Sequence, residues 1–243
     1  MHAKREPVGR RERPAKPALT RRGIVETAVR LMRAEGLEKV TMRRLAQELD
    51  TGPASLYVYV ANTAELHAAV LDALLGEVDP GADGDEDNGG GEGDGRGGGA
   101  DWRGRLLAVL GSYTRVLFEH PQLARSALVA RPSGENYLDL VERVLDLLSR
   151  SGAPREQVAW GVDILLQHAT ATAAEQGTRE RDPSARDDWN ALVEAVHAPG
   201  GAARPMIGAH LPALLSGPDE HRLTWGFDVL INGIVGTPLP SGS

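Results

Sequence analysis

Apolar residues recur at helical spacing along most of the chain, and no stretch shows the strict alternation of a half-buried strand. Ile24, Val25, Ala28, Leu31 and Met32 make one face of a first helix. Thr20 suits its N-cap, Leu19 and Ile24 form a hydrophobic staple, and Gly36 ends it. Thr41 caps a second helix with Val40 and Leu45 as its staple; Leu45, Ala46 and Leu49 are expected inside, Arg43, Arg44 and Glu48 outside. Asp50-Thr51-Gly52-Pro53 reads as a turn. Pro53 suits the first position of a third helix, because its missing N–H would have no helical partner there. Asn62-Thr63-Ala64-Glu65 reads as a capping box that opens a fourth helix through Leu66, Val70, Leu71, Leu74 and Leu75.

The pattern then stops. Residues 76–101 are nearly all Gly, Asp and Glu. They carry too little apolar surface to offset the entropy lost on ordering, so a flexible acidic linker is expected. Beyond it, Asp101 is placed to cap a helix from Trp102 to His120, halted by Pro121. A short helix over 122–131 halts before Pro132. Tyr137, Leu140, Val141, Val144, Leu145 and Leu148 line the next, which Gly152 ends. Pro154 opens a long helix to about Gln176 with Val158, Val162, Leu165, Leu166 and Ala169 on one side. A looser segment at 189–197 leads into a Gly/Pro-rich stretch, 199–218, and a last helix covers about 219–235. The expected fold is all-α: an N-terminal three-helix helix-turn-helix domain joined by a fourth helix to a larger helical domain. The expected boundaries are a basic arm at 1–18, the first domain at 19–75, the linker at 76–101, the second domain at 102–236 and a tail at 237–243.

Charge sharpens this division. The net charge of -7 is the sum of +4 over residues 1–75, -8 over 76–101 and -3 over 102–243. The basic segment is where nucleic acid would bind. The cations ahead of Thr20 (Lys4, Arg5, Arg10, Arg11, Arg13 and Lys16) form either a solvated tail or an arm on DNA phosphates or a minor groove. The absence of cysteine removes disulfides, thiolate metal sites and cysteine nucleophiles, and fits a reducing cytoplasm. No run of eighteen apolar residues exists, and the basic N-terminus lacks the apolar segment of a secretory signal. Asp83, Asp85, Asp87 and Asp94 sit at the ligand spacing of an EF-hand loop. However, Asn88 replaces the glycine at position 6, position 12 is not Glu, and the flanks are not helical, so a solvated acidic tract is the better reading. There is no Gly-rich phosphate loop, no His-Glu-x-x-His and no serine elbow, so neither an enzyme, a metal site nor a cofactor is expected.

Ala28-Val29-Arg30-Leu31, Gly36-Leu37, Thr41-Met42-Arg43-Arg44-Leu45-Ala46, Leu56-Tyr57 and Ala64-Glu65-Leu66 stand at a spacing that resembles the DNA-binding domain of the tetracycline-repressor family of bacterial regulators. Trp102, Ser112-Tyr113, Arg131-Pro132, Tyr137 and the run Gly226–Ile234 are similar to the C-terminal domain of the tetracycline-repressor branch. The resemblance implies a homodimer built by the long helix 154–176 and the last helix, a double-stranded operator, and an unknown small-molecule effector. It implies release from DNA when a shift of the fourth helix changes the spacing of the two recognition helices. A ligand-independent regulator or an activator stays open, and an enzyme on a helical scaffold ranks last.

The resemblance assigns DNA contacts to Arg43, on a base or phosphate, and to Pro53, Ala54, Ser55, Tyr57, Val58 and Tyr59. Hydroxyls of Ser55 and Tyr57 suit phosphates, and Ala54 and Val58 suit thymine methyls. Leu56 and Val60 are expected in the core. Asp50 stands where the family has a glycine, a place Asp tolerates, and Thr63 stands where many members have a phosphate-binding lysine. For an effector pocket the candidates are Tyr113, Leu117, Arg131, Tyr137, Arg143, Gln167, His168 and Thr172, with Arg131 as an anchor for an anionic or carbonyl group. His168 also suits a core position, and Arg131 a helix cap. The resemblance puts Ala127 where the tetracycline repressor has a magnesium-holding histidine, so a magnesium–tetracycline complex is not the expected ligand.

Overall fold

The computed structural model describes residues 18–81, 101–129, 132–179, 184–197 and 204–240, and every regular element among them is helical. The N-terminal helices start where the polar caps stand. Thr20 Oγ1 accepts from the Gly23 N–H at 3.1 Å to open α1 (Arg21–Glu35). After a 3₁₀ turn at Leu37–Lys39, Thr41 Oγ1 accepts from the Arg44 N–H at 3.2 Å and opens α2 (Met42–Glu48). Pro53 is the first residue of α3 (Pro53–Leu56). Asn62 Oδ1 accepts from the Glu65 N–H at 2.9 Å to open α4 (Thr63–Leu75). Glu65 answers by accepting from the Ala61 N–H at 2.7 Å, one residue earlier than the usual reciprocal bond. Asp50 takes the left-handed conformation its place in the turn requires, with φ of 48°. Ile24, Ala28, Leu31, Leu45, Ala46, Leu56, Val60 and Leu66 are buried together beneath it.

The second domain is arranged around one long helix. Its elements are α5 (Trp102–Glu119), α6 (Pro121–Val129), α7 (Glu135–Ser149), α8 (Arg155–Arg179), α9 (Ala185–His197), α10 (Pro205–Leu214) and α11 (Asp219–Gly236). α5, α6, α7 and α11 all pack against α8. Small residues on α8 allow this: Gly161 lies against Ile234 and Leu148, and Gly177 against Pro121. α4 joins the halves, packing on α1 on one side and on α6 and α7 on the other.

Three sequence expectations change in detail. The stretch 199–218 contains α10, because Pro205 occupies a first-turn position where a proline costs nothing, and Pro212 falls in the last turn. α9 begins at Ala185, earlier than the loose segment expected from 189. Asp101 precedes α5 but makes no side-chain cap.

Of the segment expected as linker, residues 82–100 lie outside the described residues, as do the basic arm at 1–17 and the acidic EF-hand-like positions. Residues 76–81 are described, and they are held down rather than loose. The Asp79 N–H donates to Ser112 Oγ at 2.9 Å, and Arg143 donates to the carbonyls of Pro80 and Gly81 at 2.7 and 2.6 Å. No helix among the described residues is long and apolar enough to cross a membrane.

Candidate DNA interface and effector cavities

The recognition element is one helical turn plus a tight continuation. After Leu56, the N–H groups of Tyr59 and Val60 both bond the Leu56 carbonyl, at 2.9 and 3.0 Å. Leu56 and Val60 are thereby buried, at 0% and 1% exposure, and the residues between them are pushed outward. Tyr57, Val58 and Tyr59 are 53%, 79% and 37% exposed. Pro53, Ala54, Ser55 and Thr63 are exposed as well, so every predicted contact residue from Pro53 to Tyr59, and Thr63, is open to a partner. A valine that exposed beside two tyrosines has no packing role within the described structure, and such a group marks a contact surface.

The two arginines of α2 have different tasks. Arg44 is taken up by Glu35 at 2.7 Å and Glu48 at 2.9 Å, which ties α2 to α1. These carboxylates hold its guanidinium charged even more firmly than usual, and Arg44 in turn pulls the Glu48 carboxyl down. Arg43 is exposed and forms no ion pair among the described residues, so its charge is available to an anion.

The effector candidates do not all converge. Tyr113, Tyr137 and Gln167 line one inner cavity of about 110 Å³, together with Ala127, Leu128, Pro132, Asp163, Leu166 and Thr170. The Tyr113 hydroxyl shares a 2.8 Å hydrogen bond with Thr170 Oγ1, and burial pushes its phenol up to about 12. Leu117 is fully buried in the core and is not part of the cavity lining. Thr172 is half-buried one turn farther along α8. Arg143 points elsewhere and holds Pro80 and Gly81. His168 faces α11, with its ring edge-on to Phe227 at 5.4 Å and Gly226 beneath its Nε2, and burial pushes it down. Its place is the packing between α8 and α11. Arg131 lies outside the described residues.

Two features were not legible in advance. A larger cleft of about 510 Å³ opens between α4 and α6, lined by Ala64, His67, Ala68, Leu71, Gln122, Arg125, Ser126, Ala127, Val129 and Pro132. In addition, Asp72 of α4 accepts from the Tyr137 N–H at 3.0 Å and from Asn136 Nδ2 at 3.3 Å, capping α7 from a neighbouring helix. One signal was present: a carboxylate in the last turn of a helix opposes the helix dipole, so it calls for a partner elsewhere.

Comparison with known proteins agrees with this geometry. Residues 24–70 match the family model for bacterial regulatory proteins of the tetR family, and residues 95–237 match that for the tetracyclin repressor-like C-terminal domain. The HTH-type transcriptional repressor DrrR1 of Streptomyces coeruleorubidus is 29% identical over 232 residues, covering 93% of this chain and 81% of its own. The crystal structure of SCO7704 from Streptomyces coelicolor, assigned as a transcription regulator, is 64% identical, with a TM-score of 0.73, over 94% of this chain and 100% of that one. ActR of Streptomyces coelicolor, solved in complex with actinorhodin, is 31% identical with a TM-score of 0.74, over 91% of this chain and 99% of that one. The chain belongs to the TetR family and is a helix-turn-helix, DNA-binding transcriptional regulator.

Proposed function

We propose that the protein is a homodimeric cytoplasmic repressor that leaves a palindromic operator when a small organic molecule occupies the cavity between α5, α6, α7 and α8. The observation that carries the DNA half of this reading is the outward-facing run Tyr57-Val58-Tyr59, with Arg43 exposed on the preceding helix. In this reading Arg43, Pro53, Ala54, Ser55, Tyr57, Val58, Tyr59 and Thr63 meet the duplex, with the helix-turn-helix in the major groove. Dimerisation is supported by the outer faces of α8 and α11, where Trp160, Ile164, Trp225 and Val229 are 50%, 42%, 69% and 46% exposed. Bulky apolar groups left open on two adjacent helices suit a partner with the same surface.

The effector half rests on Tyr113, Tyr137, Gln167 and Thr170 converging on one cavity. At about 110 Å³ it is smaller than the roughly 300–1,000 Å³ of small-molecule sites. An effector of ordinary size therefore binds a widened state better than this one, and that difference in affinity is what shifts the protein off DNA. That ActR, a relative, is solved in complex with actinorhodin supports a small organic effector.

The test is selection of genomic fragments by the purified protein at physiological salt. The expected outcome is a palindrome with half-sites about one helical turn apart, or a multiple. Absence of any enriched sequence, with affinity vanishing as salt rises, would refute the reading.

A further inference from the structure

The α4–α6 cleft adjoins the inner cavity across Ala127 and Pro132, which line both, but it differs in size and in the rest of its wall chemistry. Its walls are mostly apolar: the methyls of Ala64, Ala68 and Ala127, with Leu71, Val129 and Pro132. Among the described residues, no carboxylate lines it. Arg125 stands at its edge, exposed and without an ion pair among the described residues. His67, also on its wall, has an Nε2 shut off from water with no hydrogen-bond partner. A buried polar atom left in that condition is costly, and gaining a partner removes the cost. The volume of about 510 Å³ already falls within the range of small-molecule sites, so no widening is required.

The cleft also lies on the joint between the two domains. Gln122 lines it and donates to the Glu38 carboxylate at 2.5 Å, and Glu38 belongs to the 3₁₀ turn between α1 and α2. α4, the other wall, is separated from the end of the recognition helix α3 by six residues. A molecule seated here therefore touches α4 and Gln122, two of the connections between the core and the DNA-binding domain.

We propose that this cleft is a second effector site, next to the inner cavity, that takes a small planar aromatic carboxylate. The apolar walls cover the ring, Arg125 pairs with the carboxylate, and a hydroxyl beside it gives His67 its missing partner. This goes beyond the effector reading above, which concerns the inner cavity alone.

The probe is 3-hydroxy-2-naphthoate, followed by its own fluorescence on titration with the intact protein, with neutral 2-naphthol for comparison. The expected result is one naphthoate per chain. Arg125→Ala should weaken the naphthoate roughly tenfold, the loss of one charge-assisted hydrogen bond, and leave 2-naphthol unchanged. Ala68→Trp, which fills the cleft, should abolish binding of both, and Gln167→Ala in the inner cavity should change neither. Arg125 is a surface residue, so its variant tests the site even if Ala68→Trp does not fold. Naphthoate affinity indifferent to Arg125→Ala, or lost in Gln167→Ala while kept in Ala68→Trp, would overturn the proposal. The last pattern would place the probe in the inner cavity and leave the reading of that cavity intact.

Discussion

Gly134→Ala should destabilise the protein only while Asp72 is present. Asp72 accepts from the Tyr137 N–H at 3.0 Å and from Asn136 Nδ2 at 3.3 Å, at the start of α7. A hydrogen bond to a charged acceptor contributes about 1.5–3 kcal/mol, and a carboxylate at a helix N-terminus about 0.3–1 kcal/mol more. The site is only half buried and the second bond is long, so the low end applies. Asp72→Ala should then cost about 2 kcal/mol. Gly134 has φ of -79° and ψ of 171°, an extended conformation that alanine adopts without strain. A methyl group there, however, would overlap the Asp72 carboxylate and drive it off α7. In the Asp72→Ala background the same substitution is nearly neutral. Alanine is a slightly poorer N-cap, but it also reduces the freedom of the unfolded chain, and the two effects oppose each other. The four proteins form a double-mutant cycle with an expected coupling of about 1.5 kcal/mol. Urea unfolding at fixed protein concentration reads it, provided the m-values agree. Equal costs of Gly134→Ala in both backgrounds would refute the reasoning, because the carboxylate could not then be seated against that glycine.

Arg43→Ala should weaken binding to the selected operator by about tenfold or more and relax preference at one base pair, read by fluorescence anisotropy at fixed salt. An unchanged preference with a reduced salt slope would assign Arg43 to phosphate instead. Trp225→Glu, placed on the open face of α11, should convert the dimer to monomer in sedimentation, whereas a dimer that persists would move the interface elsewhere. Burial pushes the Tyr113 phenol up to about 12, against about 10 in an unfolded chain. The stability from keeping it neutral is complete below pH ~10 and is lost as pH rises toward the folded value, because the unfolded state releases its proton first. The thermal midpoint should therefore fall more steeply above pH ~10 in the parent than in Tyr113→Phe; parallel curves would discount the effect.

What could be read in advance was local. Thr20, Thr41 and Asn62 cap their own helices within three residues, so side chain and backbone partner are neighbours in the chain. Asp50 and Pro53 act on the backbone torsions where they stand. The outward direction of Tyr57 and Val58 followed from the inward direction of Leu56 and Val60, through helical geometry alone. The effector residues were harder because helical periodicity says that a residue faces some neighbour without saying which. His168 and Gln167 are adjacent on α8, yet one meets α11 and the other lines the inner cavity. Arg143 was a plausible anchor by type, but its partners are carbonyls of residues 80 and 81, more than sixty positions away. Asp72 and Gln122 escaped for the same reason, since their bonds cross between elements 64 and 84 residues apart.

Those distant polar bonds bear on how a regulator of this build can switch. The core around α8 is made of Leu106, Leu110, Leu117, Leu147, Leu165 and similar residues with no exposure at all. Truncating even one such side chain to alanine costs about 2–5 kcal/mol, a measure of how firmly it is packed and more than the ~1–3 kcal/mol by which an effector usually changes affinity at a second site. A ligand that acted by repacking this core would spend its binding free energy there. The connections to the DNA-binding domain are of another scale. Gln122 to Glu38, Arg33 to Glu77 and Asp72 to the start of α7 are single polar contacts; the two exposed ones contribute about 1 kcal/mol or less each and the half-buried one about 2 kcal/mol. Remaking one or two of them matches the required coupling. Tyr137 carries its ring on the inner cavity and its N–H on Asp72 of α4, so it belongs to both systems. A rearrangement that moves its ring therefore changes the grip on α4 before the leucine core has to yield.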